Sequence, residues 1–189
     1  MNLANQLTML RIALASAMFI ALMQPSPAYH LLAFFLCLAA VITDWIDGYV
    51  ARKLNLTSPF GKVLDPIADK ILILGALLAL VHTRELEIPL WGVFMIIARE
   101  LLIGGVRALE SAQGRIQGAE IWGKWKMGIQ CTAVLMMLLI LAAREYLSGS
   151  YRILIKLPYY LTILCVIVAW ASAWLYYRQS RKMLEKTWG

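Results

Sequence analysis

Asp44 to Asp69 reads D-W-I-D-G-Y-V-A-R-K-L-N-L-T-S-P-F-G-K-V-L-D-P-I-A-D, and the fold turns on this stretch. Asp44 and Asp47 stand at i,i+3, and Asp65 and Asp69 at i,i+4. Each pair therefore lies on one face of a helix, with Cβ atoms roughly 5–6 Å apart. Both pairs border long apolar runs. A carboxylate next to lipid is costly and usually faces a polar cavity, which makes it a functional-site candidate. Two ionised carboxylates ~5 Å apart repel by ~3 kcal/mol at an effective dielectric of about 20. Four brought together need protons or cations, and hard divalent ions with oxygen ligands, Mg²⁺ or Mn²⁺, suit them.

The surrounding chain is apolar. Of 189 residues, 61% are hydrophobic and only 15% are charged, which is too apolar for an ordinary soluble domain. A single membrane-embedded domain over 1–189 is the simplest organisation. The net charge of +7 would suggest nucleic acid in a soluble protein. Here the basic residues flank apolar spans, so cytoplasmic anchoring and anionic headgroups are expected and nucleic acid is not. Cys37, Cys131 and Cys165 lie far apart in apolar runs and read as small core residues. No basic stretch precedes the first apolar run and no cleavage pattern follows it, so no cleavable leader is expected.

Six apolar spans are predicted, at about 6–23, 30–50, 63–82, 88–108, 122–143 and 153–177. Each is near the ~20 residues that a bilayer-crossing helix needs. Backbone groups in lipid must be satisfied internally, so the spans are expected to be helices. Asn2, Asn5, Thr8 and Arg11 recur every three residues, which suggests a short N-terminal interfacial helix. Gln24-Pro25-Ser26-Pro27 carries no Lys or Arg and belongs outside. Ser58-Pro59 is a helix-start signal for the third span, and Pro66 is expected to kink or loosen it. The basic loop from Arg115 to Lys126, and the tail with Arg178, Arg181, Lys182 and Lys186, belong inside. Arg144, Arg152 and Lys156 break the rule by falling outside. The overall bias puts both termini and the aspartates on the cytoplasmic side.

On that topology the four aspartates gather with Arg52, Lys62, Arg99, Arg107, Lys124 and Lys126. Mixed charge beside lipid suits a phosphate-bearing substrate, with metal ions neutralising carboxylates and pyrophosphate together and the cations holding a second anion. Gly48 and Gly61 allow a ligand to approach the helix backbone closely.

The spacing Asp44-x₂-Asp47-Gly48-x₂-Ala51-Arg52-x₈-Gly61-x₃-Asp65-x₃-Asp69 resembles the signature of the CDP-alcohol phosphotransferases. The resemblance implies an all-α integral membrane fold of six transmembrane helices, usually a homodimer, in a bacterial cytoplasmic membrane. It implies two divalent cations, Mg²⁺ or Mn²⁺, on Asp44, Asp47, Asp65 and Asp69, with Asp69 also the catalytic base. Gly48, Arg52, Ser58 and Gly61, with Thr8, would line the site for CDP-diacylglycerol. Ile97-Ala98-Arg99-Glu100-Leu101-Leu102-Ile103-Gly104-Gly105-Val106-Arg107, followed by Gly123-Lys124-Trp125-Lys126, resembles the branch of the family that uses sn-glycerol 3-phosphate. That implies an acceptor segment over about 99–126, with Arg99, Arg107, Lys124 and Lys126 on the acceptor phosphate. Met127 departs from this branch's usual Thr, and the N-terminus lacks its usual proline before Asn5.

Four alternatives stand beside this reading. Lys124 and Lys126 could be membrane anchors, and Arg99 with Glu100 a structural ion pair. The acceptor could be serine or inositol phosphate, since the donor half of the site is shared. A carboxylate-lined ion transporter is a different class, but the aspartates cluster at one membrane face and no inverted repeat is visible. A pocket for a doubly negative phosphate is expected to hold several cations and no opposing anion.

Overall fold

The computed structural model describes the backbone of residues 3–54, 59–112, 121–144 and 151–188, and within these the side chains of 5–44, 64–110, 123–144 and 154–178. Six helices follow in order: α1 (Leu3–Leu22), α2 (Pro27–Leu54), α3 (Pro59–Thr83), α4 (Leu90–Ala112), α5 (Ile121–Ala143) and α6 (Tyr151–Trp188). The described residues contain no strand. The helices follow the expected spans in order, and α6 continues past Tyr177 to carry the basic tail. The N-terminal polar stripe is not a separate interfacial helix: α1 runs unbroken from Leu3. Thr8 and Arg11 are buried on its inner face and meet carboxylates of α2 and α3 instead of headgroups. Pro66 lies inside α3, which continues through it.

Local chemistry sets the turns. The Ser26 carbonyl accepts from the Tyr29 and His30 amides at 3.0 and 3.1 Å. Pro27, with no N–H to lose, takes the first helical position of α2. The Pro89 carbonyl likewise starts α4 by accepting from Gly92 and Val93. Arg84, just after α3, adopts a left-handed φ of 54° and turns the chain back.

α1 packs on α2 and α3, α2 on α5, α5 on α6, α4 on α6, and α3 bridges α4 and α5. Lipid is as apolar as leucine, so close packing must hold such helices together rather than hydrophobic exclusion. Small residues allow it: Ala33, Cys37 and Ala40 form a fully buried stripe on α2, and Ala76 and Ala79 lie buried on α3. A Cβ on Gly92 would come within 2.9 Å of Thr162, so only glycine lets α4 and α6 approach this closely. Met18, Leu77, Ile96, Met137 and Leu138 fill the core between them. The cysteines are free and sit within or at the edge of this packing.

The outer surface is the inverse of a soluble protein's. Leu101, Leu102, Phe94, Ile20 and Leu139 point outward. Exposed aromatics fall near both ends, with Trp91 and Tyr160 toward one and Trp125, Trp174 and Tyr177 toward the other, as in an interfacial girdle. α1, α2, α5 and α6 contain segments long and apolar enough to cross a membrane. α3 and α4, of similar length, carry the aspartate and arginine clusters. Arg144, one of the cations that breaks the charge rule, pairs with Glu85 at 2.5 Å, which offsets its charge.

Replacing Ala33 by Leu forces extra volume between packed helices and is expected to cost about 1–3 kcal/mol. A thermal melt in detergent should show a drop of several degrees for Ala33→Leu. Arg144→Ala, at an exposed pair, should melt within about a degree or two of the parent. Coincident melts for Ala33→Leu and parent would contradict the close packing of α2.

Candidate active site

Three helices build the acidic half of the site. Thr8 and Arg11 lie one turn apart on α1, both about 1% exposed. Arg11 donates through one terminal nitrogen to Asp69 Oδ1 at 2.9 Å and meets Asp44 Oδ1 through the other at 2.6 Å. Thr8 Oγ1 donates to Asp65 Oδ1 at 2.5 Å. The aspartates from the C-terminal half of α2 and the N-terminal half of α3 thus converge on one buried face of α1. The planar guanidinium suits this role because it can serve two carboxylates at fixed angles.

A single arginine balances one of these three carboxylates. The donors are hard anionic oxygens, and Asp44 and Asp69 remain partly open, with side chains 48% and 29% exposed. That chemistry fits divalent cations of the Mg²⁺ or Mn²⁺ type. Among the described residues no three ligating side chains form a ready-made metal cage. Arg11 instead stands between Asp44 and Asp69. The side chains of Asp47, Gly48, Arg52 and Gly61, and the whole of Ser58, lie outside the described residues.

The basic half faces the acidic half across one cavity of about 620 Å³. Asp65, Asp69 and Lys70 of α3 form one wall, Arg99, Glu100 and Arg107 of α4 another, and Lys124, Lys126 and Gln130 of α5 a third. The four predicted acceptor cations are therefore together, but they divide into two kinds. Arg99 and Lys126 are buried and committed. Arg99 donates to the Ala169 carbonyl at 3.1 Å, to Ser172 Oγ at 2.8 Å and to Glu100 Oε1 at 3.1 Å. Lys126 donates to the same Glu100 oxygen. Arg107 and Lys124 are exposed at the cavity. Arg107 lies 5.3 Å over the Tyr176 ring, whose hydroxyl donates to Glu110.

The expectation of a pocket without an opposing anion fails at Glu100. Burying several cations together is costly, and a carboxylate among them offsets their repulsion and desolvation. Five cations still face three carboxylates around the cavity. Sequence reasoning missed two of the groups here. The sequence shows Arg11 only as part of a polar stripe, although a lone cation inside an apolar helix signals a buried partner. Lys70 follows Asp69 directly and reaches the Glu100 carbonyl at 3.2 Å. Its ammonium occupies the space a side chain on Gly104 would need, 2.6 Å from that Cβ position.

A second cavity, of about 730 Å³, runs between α5 and α6. It is apolar, lined by Trp125, Ile129, Met136, Leu161 and Leu164 among others. Lys124 stands in the wall of both cavities.

Comparison with known proteins places these features in context. A sequence profile described as CDP-alcohol phosphatidyltransferase matches residues 1–177. The CDP-diacylglycerol–glycerol-3-phosphate 3-phosphatidyltransferase of Bacillus subtilis (strain 168) is 35% identical over 97% of both chains. The protein of the same name from Haemophilus influenzae is 37% identical over 70% of this chain and 73% of its own. A rice protein named cardiolipin synthase (CMP-forming) is 40% identical over 57% of this chain and 36% of its own.

Removing Arg11 leaves the carboxylates without their shared cation. Breaking a fully buried pair costs ~3–5 kcal/mol, and the exposure of Asp44 and Asp69 reduces that here. Arg11→Met is expected to melt several degrees below the parent in chelator. Added Mg²⁺ should then raise its melting temperature by more than it raises the parent's. Equal shifts in both proteins would show that Arg11 and the cation do not share these carboxylates.

Proposed function

The chain belongs to the CDP-alcohol phosphatidyltransferase family, and from that premise we propose that it transfers the phosphatidyl group of CDP-diacylglycerol to sn-glycerol 3-phosphate, giving phosphatidylglycerophosphate and CMP. The observation that carries this reading is the single cavity with Asp65 and Asp69 on one wall and Arg107, Lys124 and Lys126 on the others. A negatively charged acceptor is drawn to the cationic walls, which sets its hydroxyl toward the aspartates. The names of the Bacillus and Haemophilus relatives point to the same donor and acceptor. All six helices would cross a bacterial cytoplasmic membrane, with the cavity and both termini facing the cytoplasm, and the chain would pair as a homodimer.

Each side chain has a role in this mechanism. Asp44, Asp47, Asp65 and Asp69 would hold two divalent cations, which supply charge neutralisation at the donor's pyrophosphate and at the departing CMP. Thr8 fixes the Asp65 carboxylate through its hydrogen bond, and Arg11 fixes Asp44 and Asp69. Gly48, Arg52, Ser58 and Gly61 would contact the cytidine diphosphate. Asp69 takes the proton from the attacking hydroxyl, the role the family resemblance implies for it, and it lines the cavity beside Asp65. Arg107 and Lys124 bind the acceptor phosphate directly. Arg99 and Lys126 hold that wall in place through Glu100 and α6. The apolar cavity between α5 and α6 fits an acyl chain of the donor, with Lys124 placed near its headgroup.

Purified protein in detergent is expected to release CMP from CDP-diacylglycerol when given glycerol 3-phosphate, and to do so poorly with serine or inositol phosphate. Preference for either of those acceptors would overturn the acceptor but leave the donor chemistry standing. Activity should vanish in excess chelator and return with Mg²⁺ or Mn²⁺. Full turnover in chelator would remove the metal reading.

Arg107→Ala or Lys124→Ala should raise the KM for glycerol 3-phosphate by roughly 10- to 100-fold, the value of one charge-assisted hydrogen bond. The KM for CDP-diacylglycerol should move far less. Unchanged KM values for both substrates would return these residues to a role as membrane anchors.

A further inference from the structure

Gln130 sits on α5 one turn beyond Lys126, in the wall of the cavity that also holds Asp69 and Arg107. It is only 2% exposed, and its Nε2 has no hydrogen-bond partner among the described residues. Leaving a buried donor unsatisfied opposes folding, so such a group needs another explanation. The other polar side chains of the cavity wall are all charged; Gln130 is neutral. A carboxamide adds little to the binding of a phosphate already faced by arginine and lysine, but it suits an uncharged oxygen. Its terminal torsion is broad, so turning the amide toward a ligand costs little.

We propose that Gln130 is a specificity residue that hydrogen-bonds the secondary hydroxyl of the acceptor, so that the site selects a vicinal diol phosphate over a simple alcohol phosphate. This rests on the acceptor reading above. The attacking primary hydroxyl must meet Asp69, and the phosphate meets Arg107 and Lys124. The one remaining polar group of the acceptor lies between these ends, and Gln130 is the neutral donor among the polar side chains of the cavity. A buried donor left unpaired by the wrong substrate is the usual means by which a site rejects an analogue lacking one hydroxyl.

The test compares glycerol 3-phosphate with 3-hydroxypropyl phosphate, which lacks only the secondary hydroxyl, as acceptors for the intact protein with CDP-diacylglycerol. The parent should favour glycerol 3-phosphate in kcat/KM by about tenfold or more, the worth of one hydrogen bond. Gln130→Met should lose most of that preference by slowing with glycerol 3-phosphate alone, with the KM for CDP-diacylglycerol unchanged. Gln130→Leu, which also removes the amide, should lose it too and serves if the methionine variant does not fold. Equal use of both acceptors by the parent overturns the proposal, as does a preference that survives in the folded variants. Absence of CMP release with either acceptor would instead refute the function on which the proposal rests.

Discussion

The whole arrangement depends on how acidic side chains are kept at the edge of an apolar bundle. Asp44, Asp65 and Asp69 come from two helices, and each reaches a polar side chain of α1. Without Thr8 and Arg11 the carboxylates would repel one another, and the ends of α2 and α3 would splay. The same contacts fix α1 in register against both neighbours, because its polar face has one place to go. Local charge balance and helix packing are thus set by the same few atoms.

A second balance operates across the cavity. Glu100 gathers Arg99 and Lys126 on its side chain and Lys70 on its backbone carbonyl, joining α3, α4 and α5. Arg99 extends the network to α6 through Ala169 and Ser172. The buried cations thereby become scaffold, while Arg107 and Lys124 stay at the open face. Tyr176 supports Arg107 from beneath and is itself fixed by Glu110. Arg99, Glu100 and Lys126 satisfy one another, while Arg107 and Lys124 keep the capacity to bind.

Much of this was legible in the sequence. Six helices followed from the length and apolarity of the spans, and the gathering of Asp65, Asp69, Arg99, Arg107, Lys124 and Lys126 followed from helical spacing and alternating direction. What the sequence hid were contacts between residues far apart in the chain. Nothing near Arg99 announces that Ala169 and Ser172 will take its donors, because those partners lie about 70 positions away. The stripe of Thr8 and Arg11 looked like a surface feature because periodicity gives a face but not its direction. Gln130 was silent for the same reason: a lone amide in an apolar run reveals its place only when the surrounding wall is assembled.

Lys124 is shared by a polar chamber and an apolar trough. On the proposed reading, the two reactants therefore reach the same residue from phases of different dimension. One diffuses within a two-dimensional sheet, where the relevant quantity is its mole fraction among lipids. The other arrives from bulk water, where molarity governs encounter. Diluting the lipid reactant with inert amphiphile at fixed total amount then acts like lowering its concentration, although no volume has changed. Saturation curves for such a protein have two axes measured in different units, and neither constant carries over from micelle to bilayer without conversion.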